Sequence, residues 1–237
     1  MAKGSNASGV GRLARKASLP AAILAILLLQ ASLITYFEPP SLLWTSEPAS
    51  RGDLDTHLEQ VWRVTEALDG WGKSWAYDPQ LLAGYPSGTI FNADNKGWEL
   101  WTYGLWKLGV PRGLAFNLFI ILAHLLVPWV TMLAAREFRL SWWASVGAAA
   151  LAMCCWYFDI FAHRCWWIGM VAYGMVGYLF LLPIALMYRF TRDGGWWRVV
   201  LLALTMAAGH LIHPYIFMML VAPMLALYVR SVRRLSL

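Results

Sequence analysis

Residues 19–37 read LPAAILAILLLQASLITYF, a run without a single formal charge. A helix of about twenty apolar residues is long enough to cross a bilayer core of about 30 Å. Comparable runs follow at 114–135, 142–158 and 165–188, and a longer one fills 199–229. Because the apolar residues come in runs rather than in stripes, the chain reads as an all-α polytopic membrane protein. Composition agrees. Hydrophobic residues make up 59% of the chain and charged ones 14%, against about 25% charged in soluble domains.

The run at 199–229 is too long for one ordinary span. HLIHP interrupts it, and Pro214 breaks a helix there by removing a backbone donor and clashing with the preceding turn. Read as a hairpin of two short spans, it brings the total to about six transmembrane helices. The first run has a basic flank, as a signal peptide does. It is longer than an ordinary signal core and is followed by EPPS rather than by a small-residue cleavage site, so it reads as a retained span.

The formal net charge of +6 does not point to nucleic acid, because the basic residues sit in short clusters between apolar runs. That pattern sets membrane orientation, with Lys and Arg kept on the cytoplasmic side. Twelve of the nineteen fall on one side of the six-span topology, in four clusters beginning with Lys3, Arg136, Arg189 and Arg230. Eleven of the thirteen acids fall on the other side, leaving Glu137 and Asp193 with the bases. The expected arrangement is a plasma (inner) membrane protein with both termini cytoplasmic and its active face outside. Its parts are a disordered basic tail over 1–18, a first span over 19–37, a long outer loop over 38–112, and a helical bundle over 113–237.

The outer loop holds ten acids and six bases, and a loop this long is usually structured or functional. Leu58, Val61, Trp62, Thr65 and Leu68 recur at helical spacing. They predict an amphipathic helix at the membrane surface from Asp55 to Leu68, with Trp62 in the headgroup layer and Asp69-Gly70 as its stop. An aromatic, Gly- and Pro-rich segment follows, then a second short helix over roughly 95–108.

The topology gathers polar groups from separate loops on one face. They are Asp53, Asp55 and His57 from the first loop, Asp159, His163 and Arg164 from the second, and His210 and His213 at the hairpin tip. Ionisable groups at a bilayer are costly and tend to mark function. Carboxylates from two loops suit a divalent metal, or one of them acts as general base on a hydroxyl. Arg and His beside them suit a phosphate. Each group also has a structural reading. Asp53 or Asp55 caps the surface helix, Asp159 ends its span, Arg164 snorkels to the headgroups, His57 is solvated, and His210 and His213 bond to backbone. His124, in mid-span, is expected to hydrogen-bond to a neighbouring helix. Asp78, Asp94 and Lys96 serve either loop structure or substrate. Cys154, Cys155 and Cys165 read as small packing residues, since their spacing fits neither zinc nor a mutual disulfide. The NAS at 6–8 falls on the cytoplasmic side, away from glycosylation.

The order of a first span, then GDLDTHLEQVWRVTEALDGWGKSWAYDPQLLAGYPSG, then CWWIGMVAYGMVGYLFLLPIALMYR and HLIHP resembles the GT-C superfamily of membrane glycosyltransferases. Within it, the chain looks most like the bacterial and archaeal membrane proteins labelled "6-pyruvoyl-tetrahydropterin synthase-related", over roughly residues 19–225. The resemblance implies transfer of a sugar from a polyprenyl-phosphate carrier to an acceptor on the outer face. It implies catalytic acids at Asp53 and Asp55, a second-loop acid at Asp159, and a divalent metal (Mg or Mn) held by Asp53, Asp55 and Asp159. It also implies a phosphate site drawn from His163, Arg164, His210 and His213. Superfamily members usually have more spans, so the resemblance implies an N-terminal module only, expected as a fragment, one part of a split gene, or a minimal module with a partner membrane subunit supplying further helices. The alternative is a non-catalytic membrane subunit or lipid-binding scaffold. A transporter fits less well, because mid-span charge is nearly absent.

Overall fold

The computed structural model describes residues 7–79, 84–87 and 96–235. Helix α1 (Ala7–Phe37) starts well before the apolar run, in the stretch the sequence leaves as an unstructured tail. Pro39 and Pro40 end it, and α2 (Pro40–Leu43) takes Pro40 at its first position, where the missing N–H costs nothing. Helix α3 (Leu54–Trp71) is the amphipathic helix of the first loop, and a short antiparallel pair, β1 (Ala76–Asp78) with β2 (Tyr85–Ser87), follows it. Then come α4 (Lys96–Lys107), α5 (Arg112–Glu137), α6 (Trp142–Phe158), α7 (Ile160–Trp167), α8 (Val171–Leu179), α9 (Leu181–Asp193), α10 (Trp196–Ile212) and α11 (Tyr215–Leu235).

Among the described residues four helical segments are long and apolar enough to cross a membrane: Ser18–Phe37, Arg112–Glu137, Val171–Asp193 and Tyr215–Val232. The pair α6–α7, bent by 64°, makes a fifth when counted as one broken span. The protein is therefore a membrane-embedded all-α protein. The expected break in the last long run falls at His213, which is extended (φ −161°, ψ 126°) as a residue before proline must be. The segment before the break, α10, is a shorter apolar helix of 17 residues. The run at 165–188 is also divided. Cys165–Trp167 close α7, and the chain turns through Ile168, Gly169 and Met170 before α8 begins.

Helix α5 is the centre of the bundle. Phe116, Ile120, Ala123 and Val127 are buried along it, and α4, α6, α8 and α9 all pack against it. By contrast α1 and α11 lie at the periphery with most of their apolar surface outward. A buried Asn117 near the start of α5 fastens the incoming loop. Its Oδ1 accepts from the Ala49 amide at 2.7 Å, and its amide group donates to the Glu47 carbonyl at 2.8 Å.

The first-loop helices form a platform over the start of α5. Trp98 of α4 is fully buried, stacked on Phe116 and Phe119 with centroids 4.5 and 4.8 Å away. The buried face of α3 differs from the expected one, since Leu54, Val64 and Ala67 join Val61 and Thr65. Trp62 does not face the headgroups alone. The Arg112 guanidinium lies 3.4 Å over its ring, a cation–π contact that fixes α3 to the start of α5. The helix also runs past Asp69-Gly70, because Gly72, at φ 64°, supplies the left-handed cap two residues later. His57 is half-buried beside Trp98 rather than solvated.

At the opposite end of the bundle the two lone acids tie three helices. Asp193, last in α9, pairs with Arg139 and Arg189, and Glu137, last in α5, lies 3.5 Å from Arg198 of α10. The three cysteines are free; Cys165 is buried, and Cys154 and Cys155 are exposed.

Candidate functional site

The first loop and the α7–α8 turn meet backbone to backbone. The Asp53 amide donates to the Ile168 carbonyl at 2.6 Å, and the Ile168 amide in turn donates to Arg164 at 3.0 Å. Glycines face each other across this contact. A Cβ on Gly52 would lie 3.2 Å from the Ile168 carbonyl carbon, and one on Gly169 would lie 2.9 Å from the Asp53 carbonyl carbon. Both also have positive φ, 52° and 102°. Only glycine meets the steric and the conformational demand at once. The acid-rich stretch of the first loop is thus locked against the α7–α8 turn.

Below the lock lies a charged node that the sequence reading missed. Glu38, the residue just after α1, has a side chain with 0% exposure, and Arg51 grips both of its oxygens, one at 3.1 Å. The Arg51 guanidinium also lies 4.6 Å over the Trp167 ring. Burial pushes the Glu38 carboxyl above the usual carboxylate range, against the opposing pull of the Arg51 hydrogen bonds and charge. His124 of α5 brings Nε2 to 4.0 Å from Glu38 Oε1, beyond hydrogen-bond reach, and takes the Trp156 indole N–H at 2.8 Å on Nδ1. That bond from α6 is the neighbouring-helix contact expected for His124. Its backbone carbonyl accepts from Gln30 of α1. Phe37, Tyr157 and Trp166 pack around the node. The one signal available in the sequence was an acid directly at the end of an apolar run, beside an Arg inside the acid-rich stretch.

The expected site residues fare differently. Asp53 occupies the N-cap position of α3 but takes helical dihedrals (φ −71°, ψ −12°), and its side chain makes no capping hydrogen bond. It is exposed, with its carboxylate uncommitted among the described residues. Asp55 is exposed too, but it accepts from the Ser50 hydroxyl at 2.5 Å. Asp159 caps α7, taking the amides of Phe161 and Ala162 at 3.0 and 2.9 Å. His163 is half-buried, its Nδ1 3.0 Å from the Tyr157 carbonyl and its ring 4.4 Å from Trp166. Arg164 is exposed on the same short helix. His213 is buried between Tyr173 and Tyr215 and takes the Tyr215 amide on Nδ1 at 3.3 Å. His210 is exposed, near Phe217. Asp78 is buried and paired with Arg63 at 2.8 Å. Lys96 holds the Ser74 carbonyl and Glu99, which points to loop structure for both residues. Asp94 lies outside the described residues.

The structure therefore brings the Asp53 backbone against the turn that ends the Arg164 helix, the helix whose N-cap is Asp159. No group of three or more His, Cys, Asp or Glu side chains suited to a metal gathers among the described residues. The expected trio of Asp53, Asp55 and Asp159 is not assembled. Asp159 gives one oxygen, Oδ1, to both capping amides, and Asp55 gives its Oδ1 to the Ser50 hydroxyl.

Behind Trp156 lies a cavity of about 410 Å³. It is bounded by α5, α6, α7 and α8, with Leu181 and Met219 completing the wall. Of the three hydroxyls on its lining, those of Thr131 and Tyr178 are turned to backbone carbonyls at 2.9 and 2.7 Å, and Tyr173 supplies the third in a wall that is otherwise mostly apolar. Phe161 and Ala162 line it two residues and one residue before His163, so the cavity reaches the level of the Arg164 helix. Comparison with family models, curated proteins and solved structures returned no match for this chain.

Proposed function

We propose that this chain is a GT-C-like glycosyltransferase module working at the membrane face that carries Asp53. A polyprenyl-phospho-sugar lays its hydrocarbon chain in the apolar cavity and its phosphate beside Arg164 and His163. Asp53 takes the proton of an acceptor hydroxyl as that oxygen attacks the anomeric carbon, and polyprenyl phosphate leaves with the electron pair of the broken C–O bond. The observation that carries this reading is the Asp53 carboxylate. Its loop is held by two close-packed glycines and a backbone hydrogen bond, yet the side chain makes no hydrogen bond or ion pair among the described residues. Rigid support beneath an uncommitted acid is what a general base requires. The donor set suits a metal centre poorly, and no step of this mechanism runs through one. The topology of the proposal is six spans, α10 included, with the arginine-rich end cytoplasmic.

A second reading, a non-catalytic membrane subunit, draws on the outward apolar faces of α1 and α11, which suit lipid or a partner helix equally. Native mass spectrometry on protein extracted gently from its own membrane separates the two. A bound mass matching a polyprenyl phosphate, lost in Arg164→Ala and kept in Asp53→Asn, supports the transferase. Asp53→Asn should then abolish sugar transfer from that lipid without lowering thermal stability. A co-purifying second membrane chain with no such lipid would replace the transferase reading with the subunit reading.

A further inference from the structure

Four buried side-chain atoms around Glu38 have no hydrogen-bond partner among the described residues: His124 Nε2, the Tyr157 hydroxyl, Gln30 Oε1 and Arg51 Nε. They belong to one cluster. Gln30 donates to the His124 carbonyl, Arg51 grips Glu38, and the Tyr157 ring is stacked on the His124 ring with centroids 5.6 Å apart. A buried polar atom left unpaired bears the full cost of losing water, so native interiors contain few of them. Several in one place point to a shared partner.

Two atoms fix where that partner sits. His124 Nε2 and Glu38 Oε1 are 4.0 Å apart, and neither side chain has any exposure. The pair is too far apart to bond directly, but a water about 2.8 Å from each would join them at roughly 90°, which its near-tetrahedral bonding accepts. The Tyr157 hydroxyl lies within the field of the Glu38 carboxylate, and buried waters commonly make about three hydrogen bonds. Phe37 packs on Tyr157, and Trp166 packs on His124, closing the place in aromatic rings.

We infer that one water molecule is bound between His124 Nε2 and Glu38 Oε1, with the Tyr157 hydroxyl as its third partner. The chemistry selects water over an ion. Arg51 already neutralises the one carboxylate, so a cation would face that guanidinium, and an anion would face Glu38. A neutral molecule that both donates and accepts suits a ring nitrogen, a hydroxyl and a carboxylate together. The water links the residue that follows α1 to α5 and α6. None of its three partners lines the cavity behind Trp156, and the site does not depend on the transferase reading.

The test is a crystal structure of the full chain grown from a lipidic mesophase, at a resolution that shows ordered water. A single peak should lie about 2.7–3.0 Å from both His124 Nε2 and Glu38 Oε1. Direct contact between those two atoms with no peak beside them would overturn the site. A peak at about 2.3–2.6 Å ringed by six or more oxygens would mean a calcium-like cation and would overturn the assignment to water. A second readout is magnetisation transfer between water and the ring N–H of His124 in histidine-labelled protein. Wild type should show a long-lived water. Tyr157→Phe, which keeps the ring and removes the hydroxyl, should speed its exchange about fivefold, the effect of roughly one hydrogen bond. Unchanged exchange in a variant whose circular dichroism is intact would strike Tyr157 from the site.

Discussion

Arg51→Leu tests whether the Glu38 node holds the first loop and the α7–α8 turn together. The substitution strands a carboxylate whose side chain has no exposure. Removing one member of a buried ion pair typically costs about 3–5 kcal/mol, because the remaining charge is left without its partner. Loss of the stacking on Trp167 adds to that, by about 0.5–2 kcal/mol for a cation over a ring. Glu38→Leu should cost less, about 1–3 kcal/mol, since Arg51 is 21% exposed and keeps some access to water. The double variant removes both charges at once, and replacing a buried pair by apolar residues is often close to neutral. The two single losses should therefore greatly exceed the double loss. Unfolding in mixed micelles of graded denaturing detergent, followed by circular dichroism, gives all four free energies. If the single losses add to the double within about 0.5 kcal/mol, the pair is not coupled and the reasoning fails. The pH dependence supplies a second check. The folded state holds the Glu38 proton more tightly than the unfolded chain, so its share of stability is complete below the ordinary carboxylate range. That share is lost as pH rises through the raised folded value. Without Arg51 the carboxyl moves higher still. The Arg51→Leu deficit should thus shrink toward about pH 5 and grow toward about pH 8; a deficit that shrinks as pH rises would reverse the assigned sign.

Gly169→Ala should push the α7–α8 turn off the first loop, since its Cβ lies 2.9 Å from the Asp53 carbonyl carbon at a φ of 102°. The expected cost is about 2–4 kcal/mol from left-handed strain and overpacking, read as faster hydrogen exchange at the Asp53 amide, and unchanged exchange there would refute the interlock. Asp159→Ala and Asp53→Ala make a matched pair. The first loses a cap and about 1 kcal/mol, the second almost nothing, and thermal melts that rank them the other way would show that Asp53 is structural after all.

The sequence carries some of this fold plainly and some not at all. Period and length are local properties, so the long apolar runs, the second loop helix near 95–108 and the break at His213-Pro214 are all readable. Helix α3 ends three residues beyond the expected Leu68, because Asp69-Gly70 looks like a stop while the residue that takes the left-handed conformation is Gly72. Asp159 and Asp53 looked alike in the sequence, as acids near helix starts. What distinguishes them is whether the side chain folds back on the amides two and three residues on, as it does at Asp159 in extended backbone and does not at Asp53 in helical backbone. Glu38 was passed over as a flank because its burial is created by distant partners. Arg51 returns from across the loop, and His124, Tyr157 and Trp166 arrive from three other helices. Nothing within a few residues of Glu38 announces them.

The hydrogen bond from Trp156 to His124 settles where that histidine keeps its proton. An indole N–H only donates, so Nδ1 must accept, and the single ring proton sits on Nε2. This is the nitrogen that faces Glu38 across 4.0 Å. The ring therefore presents a neutral N–H, rather than a lone pair, toward the carboxylate that Arg51 grips. With one anion, one cation and one uncharged tautomer, the cluster reaches His124 on α5 without bringing net charge into the bundle. Nitrogen-15 spectra of histidine-labelled protein would register this as one ring with a protonated Nε2 and a bare Nδ1, and a Trp156→Phe substitution would free that tautomer to exchange.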